Sequence, residues 1–107
     1  MTALRGVYGG TLVLVTYYSP SPALNPVAMA LNNTMRSVGS SFNVKFADGY
    51  GAFQLASAFF GGDPCKAGLL IPVAPGTCDV HPTFAGQALL AAAVEVSLGF
   101  QLFDSIL

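Results

Sequence analysis

From Thr11 to Tyr17 the chain reads Thr-Leu-Val-Leu-Val-Thr-Tyr, a continuous β-prone run that is mostly apolar. Such a run suits a strand covered on both faces, as in a parallel sheet. Ser19-Pro20-Ser21-Pro22 breaks it. Asn25-Pro26 then supplies a helix cap followed by proline at the first helical position. Val27, Leu31, Met35 and Val38 recur at helical spacing and predict one apolar stripe, and Gly39 is a natural stop. Phe42, Val44 and Phe46 alternate with Asn43 and Lys45, which predicts a half-covered strand. The stretch Gly61–Gly76 is rich in Gly and Pro and is expected to be a long loop. The final helix is predicted from about Phe84 to Leu98, closed by Gly99. The order strand, helix, strand, loop, helix argues an α/β fold, with no internal repeat and no linker dividing the chain. Two strands make only a partial sheet, so at least one edge is expected to be covered by something further.

Composition sharpens that expectation. A chain of 107 residues can bury one modest core. Its hydrophobic fraction is 53% while charged residues make up 8%, against about 25% charged in ordinary domains. A monomer with so few charges has little with which to cover its surface. The chain is therefore read as interior segments of a larger sheet, or as a homo-oligomer. A net charge of −1 without a basic cluster argues against nucleic-acid binding and against electrostatic attraction to a membrane. Leu12–Val15 and Ala88–Val94 fall far short of the ~20 apolar residues that a membrane span needs. Arg5, the first apolar run and Ser21-Pro22-Ala23 superficially mimic a signal peptide. The apolar part is short and β-rich, so it is read as a buried strand, and the chain is expected to carry no targeting segment.

Candidate chemistry concentrates in Gly76-Thr77-Cys78-Asp79-Val80-His81-Pro82-Thr83. His81 is the single histidine, and the one side chain expected to exchange a proton near neutral pH without a large shift. In an extended segment side chains two apart share a side, so Asp79 and His81 are placed to meet across Val80. Pro82 cannot continue a strand ladder and Thr83 is a good helix N-cap, so His81 is expected on the loop just before the last helix. Asp48 (Asp-Gly) and Asp63 (Asp-Pro) stand in turn contexts and are read as structural.

The segment Asp79-Val80-His81-Pro82-Thr83-Phe84-Ala85-Gly86-Gln87-Ala88-Leu89-Leu90-Ala91 resembles the last block of the SGNH (GDSL-type) esterases and lipases, where an Asp and a His-Pro precede the C-terminal helix. Tyr8–Pro20, Leu31-Asn32-Asn33 and Phe46–Phe53 also resemble parts of that family's C-terminal half. Residues 1–107 thus read as a single C-terminal SGNH-hydrolase-like segment. The implied fold is a partial three-layer, flavodoxin-like sheet-and-helix arrangement, completed by oligomerisation or a partner. The implied catalytic residues are His81 as general base and Asp79 as the acid that orients it, with no cofactor and no metal. The implied substrate is a small ester or lipid. The family's nucleophilic Ser in a Gly-Asp-Ser context and its Gly and Gly-x-Asn-Asp oxyanion blocks have no counterpart upstream of His81. The commoner family spacing puts the acid three residues before the His, where this chain has Cys78. Either Asp79 or a nearby backbone carbonyl could orient the ring.

The two cysteines, Cys65 and Cys78, admit a disulfide, of a kind extracellular esterases of this type often carry, or two buried thiols in a reducing compartment. The disulfide reading favours a secreted or extracellular location. A zinc site with His81 and a carboxylate is a further alternative, with an unusual ligand spacing. No Gly-x-Ser-x-Gly elbow supplies a nucleophile. Ser105, in Asp104-Ser105-Ile106-Leu107, echoes the family's Asp-Ser-Leu, and Ser19 follows a predicted strand. Two functions stand side by side: an ester hydrolase acting by serine acyl transfer, and a non-catalytic, self-associating remnant of such a hydrolase.

Overall fold

The computed structural model describes residues 10–99. It contains a small α/β fold with two separate two-stranded sheets. Strand β1 (Val13–Val15) is followed by helix α1 (Asn25–Gly39), strand β2 (Lys45–Ala47) and helix α2 (Gly49–Ala56). Strands β3 (Leu70–Ala74) and β4 (Thr77–Pro82) and helix α3 (Phe84–Ser97) complete it.

β1 and β2 pair in parallel, Leu14 opposite Phe46. The strand is shorter than the predicted Thr11–Tyr17, because the ladder with β2 lasts only three residue pairs. The Lys45 amide donates to the Leu12 carbonyl and the Thr16 amide to the Ala47 carbonyl, both at 2.9 Å. The even-numbered residues of β1 therefore face β2, and the amides and carbonyls of Val13 and Val15 point to the opposite edge. Tyr17 is in the same phase as Val13 and Val15, but its backbone is taken. Its amide donates to Asn32 Oδ1 at 2.7 Å, and Asn32 Nδ2 donates to its carbonyl at 2.8 Å.

Both faces of this sheet are covered. A Cβ on Gly39 would lie 2.9 Å from Leu14 Cδ1 and 2.8 Å from the Phe46 ring, so the C-terminal end of α1 rests directly on one face. Helix α3 packs on the other face. The bounds of α1 agree with the sequence to within a residue, although Leu24 stands at the N-cap and Asn25, expected as the cap, is the first helical residue and accepts from Gln54 Nε2 at 3.3 Å. Its orientation does not agree. The helix buries Ala28, Asn32 and Gly39, while Val27, Leu31 and Val38 of the predicted stripe are exposed and Met35 is half-buried. Small residues and one fully paired amide allow a close approach that the larger aliphatic face does not. After α1 the chain makes a 3-10 turn, and the left-handed residue is Asn43 (φ 54°) rather than Gly39. Phe42 belongs to that turn, so β2 begins only at Lys45.

Helix α2 was not expected from the sequence. Asp48 caps it, accepting from the Gly51 amide at 2.9 Å, and the Thr16 hydroxyl accepts from the Tyr50 amide at 3.1 Å. Thus the Asp48 turn is a helix start. Asp63 is also structural, accepting from the Cys65 amide at 2.9 Å. The expected long loop from Gly61 to Gly76 is instead a run of turns leading into β3, the first arm of an antiparallel hairpin with β4. Gly76, with φ 73°, turns the hairpin.

The buried core is compact: Phe53 of α2 packs with Leu69 and Leu70, surrounded by Tyr18, Cys78, Leu89 and Leu90. Helix α3 starts at Phe84 as predicted, with Thr83 as its cap accepting from the Gly86 amide at 3.3 Å. Gly86 is where α3 meets the hairpin. A Cβ there would collide with the Leu69 carbonyl and lie 2.9 Å from Pro82 Cβ and 3.2 Å from Phe53 Cζ. The obstructing atoms are mostly backbone and ring, which do not move aside cheaply. Gly86→Ala is therefore expected to destabilise the fold by about 1–3 kcal/mol, the usual cost of overpacking. A urea midpoint equal to that of the unaltered chain would contradict this close approach.

Candidate active site

The hairpin register contains the main departure from the sequence reading. Leu70 pairs with Pro82 and Pro72 with Cys78. One residue of β3, Ile71, thus stands opposite Asp79, Val80 and His81 of β4. His81 lies within β4 rather than on a loop after it, in a bulged stretch of the strand. Proline is tolerated at positions 72 and 82 because both arms of a two-stranded hairpin are edges. Bulges re-aim side chains and release backbone groups from the ladder.

Here the bulge carries the two residues that the sequence singles out. His81 Nδ1 lies 3.1 Å from Asp79 Oδ2. The other carboxylate oxygen, Oδ1, accepts from the Val80 amide at 2.6 Å. The hydrogen bond from the His81 ring, and after it the bond from the Val80 amide, holds the Asp79 carboxyl below its ordinary pKa. The orienting group is therefore the Asp79 carboxylate rather than a backbone carbonyl. With Nδ1 engaged, Nε2 is the ring nitrogen left to exchange a proton with a substrate or a nucleophile. The side chains are 73% exposed for His81 and 44% for Asp79, so the pair is open to an incoming group and is held by geometry rather than by burial.

Three features support the bulged strand. Cys65 and Cys78 form a disulfide (S–S 2.09 Å, Cα–Cα 5.7 Å) that ties the turn region before β3 to the residue preceding Asp79. Both sulfurs are consumed by this bond, so neither cysteine is a metal ligand as the zinc alternative required. Among the described residues no group of His, Cys, Asp and Glu is placed to hold a metal ion. The Thr83 hydroxyl donates to the Gly68 carbonyl at 2.7 Å, closing the base of the hairpin. Lastly, the Tyr18 hydroxyl donates to the Val80 carbonyl at 2.5 Å. Sequence reasoning gave Tyr18 no role. The available signal was a hydroxyl-bearing aromatic at the carboxyl end of a parallel strand, where α/β proteins gather their functional groups.

The serines do not complete the site. Ser19 is 1% exposed, and its hydroxyl donates to the Ser21 carbonyl at 2.6 Å. Its contacts are those of a structural turn. Ser57 is equally buried, with a hydroxyl that has no partner, at the end of α2. Ser105 and Asp104 lie outside the described residues. Among the described residues no serine hydroxyl is hydrogen-bonded to His81. A cavity of about 480 Å³ runs between α2 and α3, lined by Leu55, Ala56, Leu89, Ala92 and Val96, with Asp48 at its rim. Neither His81 nor Asp79 lines it.

Compared with protein-family models, with curated proteins and with solved structures, the chain matches none. Among the described residues no helix is long and apolar enough to cross a membrane. The disulfide is consistent with a secreted protein.

The lowered pKa of Asp79 fixes a sign. The pair's contribution to stability is present above the ordinary aspartate pKa and is lost as pH falls through the lower value of the folded chain. Urea midpoints measured across this acid range are expected to decline in the unaltered chain. Asp79→Asn, which cannot ionise, should flatten that part of the profile. Identical profiles would mean that the pair does not form in solution.

Proposed function

We propose that this chain is the acid–base part of an ester hydrolase of the SGNH (GDSL) type. The observation that carries the reading is the 3.1 Å contact between His81 Nδ1 and Asp79 Oδ2, which leaves Nε2 accessible. In acyl transfer a serine oxygen bonds to the ester carbonyl carbon while His81 Nε2 takes the serine proton. The carbon–oxygen bond to the alcohol then breaks, and the same proton passes to the leaving oxygen. Water, deprotonated by His81 in the same way, releases the acid from the acyl-enzyme. Asp79 keeps the ring in the productive tautomer and stabilises its charged form. The nucleophile and the oxyanion donors are supplied by an unconventional serine, a second copy of the chain or a separate N-terminal half. That addition would also complete a flavodoxin-like sheet. The substrate class is small esters or lipids, and the disulfide supports an extracellular setting.

A fluorophosphonate, which labels only an activated serine, tests this reading through intact mass and peptide mapping. One adduct on one serine is expected, absent in His81→Ala. Ester hydrolysis should fall by about 10²–10⁴-fold in that variant, the usual worth of a general base. No adduct at high reagent concentration would remove acyl transfer from this chain.

A second reading is favoured by a separate set of observations. Val27, Leu31 and Val38 of α1 are exposed, the cleft between α2 and α3 is apolar, and the outer edge of β1 carries no charged residue. A non-catalytic remnant of an SGNH hydrolase that associates with copies of itself would bury these surfaces. It predicts a concentration-dependent dimer or larger species in sedimentation velocity. A stable monomer over the accessible concentration range would exclude it.

A further inference from the structure

We propose that Tyr18 is the positioning residue of the Asp79–His81 pair, an inference that rests on the acid–base role given to that pair above. A bulge leaves backbone groups without ladder partners, and an exposed bulge has several ways to settle. Here the Val80 peptide groups are caught from two sides. Its amide is held by Asp79 Oδ1 at 2.6 Å and its carbonyl by the Tyr18 hydroxyl at 2.5 Å. The Val80 carbonyl belongs to the peptide plane that leads into His81. Fixing it sets the direction from which the imidazole departs. Fixing the amide turns the Asp79 carboxylate so that its second oxygen meets Nδ1 at 3.1 Å.

Tyr18 is itself anchored. Its ring stacks on Phe53 with centroids 4.2 Å apart and planes 18° from parallel. Phe53 is 1% exposed and forms the centre of the core. Asp79 and His81 are both open to water, so their own packing does not hold them. The disulfide fixes Cys78, one residue before the pair, and the Asp79 carboxylate reaches the backbone amides of Val80 and His81. Both of these are ties within the hairpin region, and neither reaches the core ring. Tyr18 is the side chain that carries the order of the core to the Val80–His81 peptide. Asp79 is also close enough to contribute to raising the Tyr18 pKa, behind the larger effect of burial and that of Tyr17.

The single histidine makes the test direct. NMR of the labelled full chain reads the His81 tautomer from its ring nitrogens and the Asp79 titration midpoint from its carboxyl carbon, with no turnover required. Tyr18→Phe keeps the stack on Phe53 and removes only the hydroxyl. Two changes are expected: His81 shifts from the Nδ1–H form towards the Nε2–H form, and the Asp79 midpoint rises towards the ordinary aspartate value. Tyr17→Phe, at the neighbouring and more exposed ring, should change neither. Replacing Tyr18 with p-aminophenylalanine, read at neutral pH where its amine is an uncharged donor at the same place, should return the His81 tautomer to that of the unaltered chain. A folded Tyr18→Phe with unchanged tautomer and midpoint overturns the proposal. So do equal changes in Tyr17→Phe, or a failure of the restored donor to rescue. If these shifts appear while no serine takes the fluorophosphonate, Tyr18 still positions the pair and acyl transfer by a serine of this chain falls. If the serine is labelled and the shifts are absent, Tyr18 loses its role and the hydrolase reading stands.

Discussion

The arrangement depends on one buried ring. Phe53 reaches from α2 into the space where β1 ends, the hairpin begins and α3 starts, and it touches all three. Tyr18 stacks on it from the end of β1, Leu69 and Leu70 pack on it from the hairpin, and the α3 backbone approaches it at Gly86. The two sheets share no strand. Helix α3 and this small core join them. A short core with one large aromatic at its centre makes each neighbour sensitive to the others, because displacing the ring opens every contact at once.

The proposed chemistry rests on the same junction. A proton-exchanging pair on an edge hairpin would ordinarily be poorly ordered, since exposed side chains keep their rotamer freedom. This hairpin is fastened at three levels. The disulfide ties Cys78, near the turn, to the segment before β3, Thr83 joins the base to both Gly68 and the helix start, and the Tyr18 hydroxyl holds the Val80 carbonyl in the bulge. The Asp79 and His81 side chains can then face water while the backbone beneath them is constrained. That division is useful for a general base, which must meet a substrate and still present one nitrogen in one direction.

Much of this was legible in the sequence where a residue's chemistry acts locally. Asn25-Pro26 and Gly39 bounded α1, Thr83 marked the start of α3, and Asp79 and His81 announced their contact by a spacing of two. What was hidden depended on longer-range fits. The apolar positions of α1 faced outwards because Ala28, Asn32 and Gly39 made the closer contact with the sheet. Helix α2 opens with Gly49 and Gly51, poor helix formers, and is secured by the Asp48 and Thr16 side chains and by burial of Phe53. Pro72 and Pro82 disguised a hairpin, because proline argues against a strand unless that strand is an edge. The extra residues opposite Ile71 could not be read from one strand alone, since a bulge is a property of a pair.

Asn32 has a consequence for the sheet as a whole. Its side-chain amide meets the Tyr17 backbone as another peptide unit would, donor to acceptor and acceptor to donor. A side chain has here taken the place of the next rung of a ladder. The outer margin of β1 therefore offers the backbone groups of Val13 and Val15 and stops there, so that a strand docking on that side could run no further than Val15 before meeting a residue borrowed from a helix.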